Sequence, residues 1–201
     1  MGGGTKTAAK SVNIHGFGTL SIAPKDDAPL LWVFGGIPVG GRSSGVYMWD
    51  YMNAFKDRYH IFVANSNATP GNLAYGAVRK RLDADDIGIV PSEEILYLFS
   101  GGYAAGQQIL FTQGSPTFSE IFLVDIWMGS HVVAEFYKSQ ADLNAGKMFY
   151  VYTTNGPVSE KARDYIAARL GATRATHVPY HKHVDHMTTH MSTNKVAVTN
   201  L

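Results

Sequence analysis

Apolar runs of strand length alternate with segments of helical periodicity along most of this sequence. Residues 11–24 alternate between apolar and polar side chains, which predicts an early pair of strands. Continuous apolar runs predict further strands at residues 30–36, 59–66, 94–100, 120–127, 147–154 and 176–180. Apolar residues at helical spacing predict helices at residues 44–55, 72–84, 103–113, 131–143, 159–171 and 191–201.

The predicted strands are almost continuously apolar, which is typical of parallel strands that helices cover on both faces. We therefore predict an α/β fold with a doubly wound, mostly parallel sheet and helices on both faces. Residues 11–201 are expected to form a single domain, and residues 1–10 a flexible N-terminal arm or a vector-derived tail. Ligands bind such sheets at the carboxyl ends of the strands, so chemistry is expected in the loops that follow the strands.

Composition narrows the classes of function. The 201 residues include 17 basic and 16 acidic side chains, a formal net charge of +1, so no nucleic-acid partner is expected. Cysteine is absent, which excludes disulfides and thiolate metal sites. The longest apolar runs, such as residues 121–128, are far shorter than the roughly 20 residues that span a bilayer, so no membrane span is expected. No apolar segment follows Lys6 and Lys10, so a secretory signal is not indicated; this favours the cytoplasm but leaves the location open.

Ser100 follows the apolar run ILYLF and precedes Gly101 and Gly102, where a helix is expected to begin. A serine at such a turn projects its hydroxyl above the sheet, beside backbone N–H groups and the positive end of the helix dipole. The glycines permit a tight turn and a close approach of the helix. Ser100 is therefore a candidate nucleophile, and the alternative is an ordinary helix N-cap.

A glycine-rich segment, FGGIPVGGR at residues 34–42, follows the first buried strand. Its backbone N–H groups are candidates to stabilise a developing oxyanion, with Gly36 or Ile37 as one donor and Gly101 as the second. The alternatives are a flexible loop and a phosphate cradle. The segment matches neither the P-loop nor the dinucleotide pattern G-x-G-x-x-G.

Four of the eight histidines lie within residues 181–190, after the last predicted strand. A histidine there is a candidate general base for a serine at the end of a central strand. A metal site is the competing interpretation, because His186 and His190 are spaced i, i+4 and Asp185 is adjacent. The zinc-protease motif H-E-x-x-H is absent.

Asp125 ends the apolar run IFLVD. A carboxylate in such a run needs a partner, so the side chain is expected at the strand end, where it is a candidate to orient a histidine. Alternatively, it binds backbone N–H groups of the next loop. Asn155, after the following strand, competes for the same role, but an amide cannot stabilise a charged imidazole as a carboxylate can.

The chain order of serine, acid and histidine resembles the α/β-hydrolase superfamily over residues 28–201. LLWVFGGIPVGG is similar to the strand and oxyanion loop that precede the first helix, and ILYLFSGG to the nucleophile elbow. VDHMTTHMSTNKVAVTNL is similar to the histidine loop and final helix of small lipase-like members. That last match implies His186 as the base, ahead of His190 and His183.

The sequence departs from the family pattern at two positions. Leu98 stands where the elbow pattern G-x-S-x-G has its first glycine. In most members the acid follows the strand that here ends in Thr153-Thr154-Asn155, whereas some members place it one strand earlier, where Asp125 lies.

The resemblance implies a serine hydrolase of esterase or lipase type, acting on an ester or related acyl bond of a small or polymeric substrate. Ser100 would attack the carbonyl, and His186, oriented by Asp125, would transfer the proton. No cofactor and no metal are required. The candidates to line an acyl pocket are residues of types whose usual place is the core: Tyr103, Trp127, Met128 and Met187.

Two other functions remain open. Leu98 and Asn155 favour a non-catalytic binding or interaction protein on the same fold. The histidine-rich segment favours a metal-dependent hydrolase, with ligands drawn from His181, His183, Asp185 and His186. The oligomeric state is not predicted.

Overall fold

The computed structural model describes residues 10–38, 42–84, 87–153, 159–178 and 194–201. The strands in these residues are β1 (Lys10–Ile14), β2 (Gly18–Ile22), β3 (Leu30–Phe34), β4 (His60–Ala64), β5 (Glu94–Phe99), β6 (Glu120–Val124), β7 (Met148–Tyr152) and β8 (Ala175–His177). They form one sheet in the order β1-β2-β4-β3-β5-β6-β7-β8. Strand β2 runs antiparallel to its neighbours β1 and β4. The other six strands are parallel to one another, in the order β4-β3-β5-β6-β7-β8.

The helices of the described residues are α1 (Ser44–Met52), α2 (Gly71–Asp83), α3 (Tyr103–Thr112), α4 (His131–Asn144), α5 (Glu160–Leu170) and α6 (residues 194–198). Three of them begin at a serine whose hydroxyl accepts a hydrogen bond from the first turn: Ser43, Ser130 and Ser159. Every predicted strand and helix has a counterpart. None of these helices is long and apolar enough to cross a lipid bilayer.

Side chains of the strands alternate between two cores, one on each face of the sheet. In β3, Trp32 and Phe34 join the core under α2 to α5, whereas Leu31 and Val33 join the core under α1 and α6. Both cores are fully apolar at these positions, because helices cover both faces. The predicted doubly wound α/β fold is confirmed.

The predicted strand at residues 120–127 is too long. β6 ends at Val124, because Asp125 adopts a left-handed backbone conformation, with φ +47°, that an extended strand cannot contain. Ile126 and Met128 beyond it are buried in the core, so the apolar pattern continues after the strand has ended.

Candidate active site

Ser100 lies directly after β5, in a short 3₁₀ turn (Ser100–Gly102) that leads into α3. Its φ is +48°, in the left-handed region that side chains with a Cβ avoid. Its carbonyl oxygen accepts hydrogen bonds from the N–H groups of Tyr103 and Trp127, the latter at 3.2 Å. The turn is therefore held by both α3 and the segment that follows β6.

Ser100 and Asp125 are the two non-glycine residues with positive φ in the described part of the chain. They end neighbouring parallel strands, each one residue beyond the paired residues Phe99 and Val124. Strained backbone of this kind persists where the surrounding structure enforces it, and it is concentrated at functional sites. The two candidate catalytic residues thus lie side by side at the carboxyl edge of the sheet.

The loop after β3 packs against Ser100 at Gly36. A Cβ placed on Gly36 would lie 2.8 Å from the Cβ of Ser100 and 3.0 Å from its Oγ. Only a glycine leaves room for the serine hydroxyl at this distance. The structure therefore brings the loop predicted to bind the oxyanion next to the predicted nucleophile.

Gly101 and Gly102 bring the turn against the same loop. A Cβ on Gly101 would lie 3.3 Å from the backbone nitrogen of Ile37, and one on Gly102 would overlap the carbonyl oxygen of Phe34. Two of the three candidate oxyanion donors, the N–H groups of Ile37 and Gly101, are thus close together. Neither donates a hydrogen bond to an acceptor among the described residues.

Leu98 does not distort the turn, since its side chain points away from Ser100 into the core beneath α3. It is fully buried and meets Gly106, where an added Cβ would overlap Leu98 Cδ1. The bulk at the first elbow position is therefore accommodated by a glycine on the facing helix. The departure from G-x-S-x-G coexists with a left-handed Ser100.

The carboxylate of Asp125 is oriented by Thr153, at the end of the neighbouring strand β7. Its Oδ1 accepts hydrogen bonds from the Thr153 N–H at 3.2 Å and from the Thr153 Oγ1 hydroxyl at 3.0 Å. The Asp125 N–H in turn donates to the carbonyl oxygen of Val151 at 2.7 Å. These bonds hold the carboxylate at the edge of the sheet that carries Ser100.

The histidine-rich segment and the alternative acid lie outside the described residues. This applies to His181, His183, Asp185, His186, Met187, His190 and Asn155. Within the part of the chain that the structure describes, no group of three or more histidine, cysteine, aspartate or glutamate side chains is arranged to hold a metal ion.

Two of the candidate pocket residues form an aromatic pair beside the Ser100 backbone. The rings of Tyr103 and Trp127 are 5.0 Å apart between centroids, tilted by 37°, and both side chains are half-buried. Met128 is fully buried in the core and does not line an open pocket.

Tyr47 also lies at this site, although the sequence does not mark it. Its phenol oxygen donates to the carbonyl oxygen of Ile37 at 3.5 Å and would lie 3.2 Å from a Cβ on Gly36. In the sequence, Tyr47 is one of several apolar residues at ordinary helical spacing. Only the contact between α1 and the loop after β3 identifies it.

Neither a family model nor a curated protein matches the sequence. Several solved structures match the fold. A structure described as a "predicted CIB-like hydrolase" from Thermoplasma acidophilum is 14% identical, with 96% of this chain and 98% of that chain covered and a TM-score of 0.54. An esterase from a Rhodococcus species is 11% identical, with 97% and 100% covered and a TM-score of 0.52. An esterase from Exiguobacterium antarcticum is 6% identical, with 96% and 98% covered and a TM-score of 0.50.

These similarities extend over nearly the whole chain, 96% of it in the first structure and 97% in the second. At such low identity they establish architecture and not activity. The chain has the α/β-hydrolase fold.

Proposed function

We propose that this protein is a serine hydrolase that cleaves an ester or a related acyl bond. The observation that carries the proposal is the left-handed conformation of Ser100 at the end of β5, with its Oγ against Gly36. The strain and the tight packing both serve to expose one hydroxyl beside backbone donors, which is the arrangement that acyl transfer requires.

In the proposed reaction, Ser100 Oγ attacks the acyl carbon while His186 takes its proton. The carbonyl π electrons move to oxygen, and the N–H groups of Gly101 and of Gly36 or Ile37 bind the oxyanion. Collapse of the intermediate expels the alcohol, which receives the proton from His186 and leaves an acyl-serine. Water, deprotonated by the same histidine, then releases the acid and restores Ser100.

Asp125 is proposed to orient the imidazole. Its position one residue beyond β6, beside Ser100, and the two hydrogen bonds from Thr153 support this role. A carboxylate can also stabilise the imidazolium that forms during the reaction. His190 and His183 are the alternative bases, and Asn155 is the alternative orienting residue.

The substrate is proposed to carry an apolar acyl or alkyl group. The half-buried pair Tyr103 and Trp127 lies beside the Ser100 backbone, and the Ile37 side chain in the facing loop is 53% exposed. Apolar side chains in contact with water next to a reactive group favour an apolar ligand.

The experiment compares hydrolysis of p-nitrophenyl acetate and butyrate by the wild type, Ser100→Ala and Ser139→Ala. Ser139 is an exposed serine on α4 whose hydroxyl donates to the Phe136 carbonyl within the helix, so its loss should leave activity unchanged. Ser100→Ala should lower kcat by about 10³-fold or more.

Full activity of Ser100→Ala would exclude this serine as the nucleophile. Activity that a chelator abolishes would favour the metal-dependent alternative. If the folded wild type hydrolyses neither of these esters, and does not hydrolyse esters of longer chain length either, the result would favour a binding protein on the same fold.

A further inference from the structure

Tyr47 lies on α1 and contacts both the end of β5 and the loop after β3. Its side chain is only 4% exposed, and its ring meets the ring of Phe99 edge-on, with centroids 6.1 Å apart and planes at 86°. Phe99 is the last residue of β5 before Ser100. The ring is therefore anchored to the strand that carries the proposed nucleophile.

The phenol oxygen of Tyr47 and the hydroxyl of Ser100 converge on Gly36. The empty Cβ position of Gly36 lies 3.2 Å from Tyr47 Oη and 3.0 Å from Ser100 Oγ. The phenol also donates to the carbonyl oxygen of Ile37 at 3.5 Å. One side chain thus contacts both loop residues that are proposed as oxyanion donors.

The phenol of Tyr47 remains neutral over the whole physiological pH range, and it therefore remains a hydrogen-bond donor. Burial raises the pKa of Tyr47, and a backbone hydrogen bond from Gly36 offsets that rise only in part. The Ile37 carbonyl belongs to the peptide bond with Pro38, which has no N–H. The bond from Tyr47 therefore restrains the loop at a peptide unit that has no N–H of its own to donate.

We propose that Tyr47 is a positioning residue that holds residues 35–38 in the conformation in which the Ile37 N–H binds the oxyanion. This inference rests on the proposed function. The benefit lies in the transition state, because an oxyanion donor must be placed before charge develops on the oxygen.

The test replaces the phenol by Tyr47→Phe, which keeps the ring against Phe99 and removes only the hydroxyl. The matched control is Tyr51→Phe, one turn further along α1 and half-buried. Both variants are compared with the wild type by thermal unfolding, by kcat and KM for p-nitrophenyl butyrate, and by the rate of labelling with a fluorophosphonate, whose phosphoryl oxygen occupies the oxyanion position.

Tyr47→Phe should lower kcat and the labelling rate about tenfold, with KM and the final labelling stoichiometry unchanged. Tyr51→Phe should match the wild type. Unfolding temperatures should stay within a few degrees of the wild type, so that loss of folded protein does not account for the slower reaction.

Wild-type kcat and labelling rate in Tyr47→Phe would overturn the inference. A raised KM with unchanged kcat would also overturn it, since that result describes uniform substrate binding. If the folded wild type takes no label, the proposed function fails and the inference about Tyr47 fails with it. If the wild type is labelled and Tyr47→Phe is labelled at the same rate, only the inference about Tyr47 fails.

Discussion

Gly36 leaves the space that the Ser100 hydroxyl occupies, because it has no side chain. It faces Ser100, and the two residues belong to loops that follow neighbouring strands β3 and β5. A methyl group there would lie at 3.0 Å from Ser100 Oγ, closer than a carbon–oxygen contact in a packed protein normally allows. Either the hydroxyl or the loop must then move.

Gly36→Ala should therefore lower kcat by about 100-fold, because a displacement of about 1 Å at a reacting centre costs that much. The matched control is Gly76→Ala, within α2, where an added Cβ meets nothing within 4 Å. The control should keep full activity and gain about 0.5–1 kcal/mol in free energy of unfolding, since alanine is the better helix residue. Unchanged kcat in Gly36→Ala would show that the loop does not approach the reacting hydroxyl.

At the scale of elements, β5 and α3 pack together because a large residue on the strand faces a glycine on the helix. Leu98 on the strand occupies the position of the elbow glycine, and Gly106 on the helix supplies the missing space. A Cβ on Gly106 would also lie 2.6 Å from the phenol oxygen of Tyr137, which donates to the Tyr103 carbonyl at 2.8 Å. The contact places α3, and with it the turn at Ser100.

Gly106→Ala should lower the free energy of unfolding by about 1–3 kcal/mol, as overpacking of a core does. The same substitution in a Leu98→Ala background should cost less, because the conflicting methyl groups are gone. Urea unfolding of the two single variants and the double variant measures this coupling. Strictly additive effects would mean that Leu98 and Gly106 do not compensate each other.

At the scale of the whole molecule, His60 ties the segment after β2 to the centre of the sheet. It is fully buried at the start of β4; its Nδ1 accepts a hydrogen bond from the Ala23 N–H at 3.1 Å, and its Nε2 donates to the Asp26 carbonyl at 3.1 Å. This pairing requires the neutral ring. Burial lowers the pKa of His60 below its ordinary value, although the Asp26 carbonyl opposes the effect.

Because the folded state holds His60 neutral, the unfolded chain binds more protons once the pH falls below about 6.5. The stability that His60 contributes should be complete above that pH and should decline below it, until the folded pKa is reached. Urea unfolding of the wild type and His60→Gln from pH 7.5 to 5 should show the stability advantage of the wild type shrinking. An advantage that stays constant or grows would contradict a neutral buried His60.

The fold could be predicted from the sequence because apolar periodicity is a local property. The end of β6 before Asp125 could not be predicted, because the apolar pattern continues to Ile126 and Met128 while the backbone turns at Asp125. Contacts between residues that are distant in sequence could not be predicted either. Leu98 alone looks like a defect in the elbow pattern, and only the contact with Gly106 explains it.

Ser100 and Asp125 could be singled out from the sequence because each follows an apolar strand, and their catalytic roles stay predictions. Tyr47 could not be singled out, because it lies inside a helix at ordinary core spacing and its proposed role depends on a tertiary contact. The role of His186 stays a prediction.

The most direct test of Ser100 as the nucleophile is the site of fluorophosphonate labelling, found by mass spectrometry in the wild type and in Ser100→Ala. If Ser100 is the nucleophile, the wild type should take one equivalent of label, on the peptide that contains Ser100, and the variant should take none. Label on another residue, or no label on a folded wild-type protein, would contradict it.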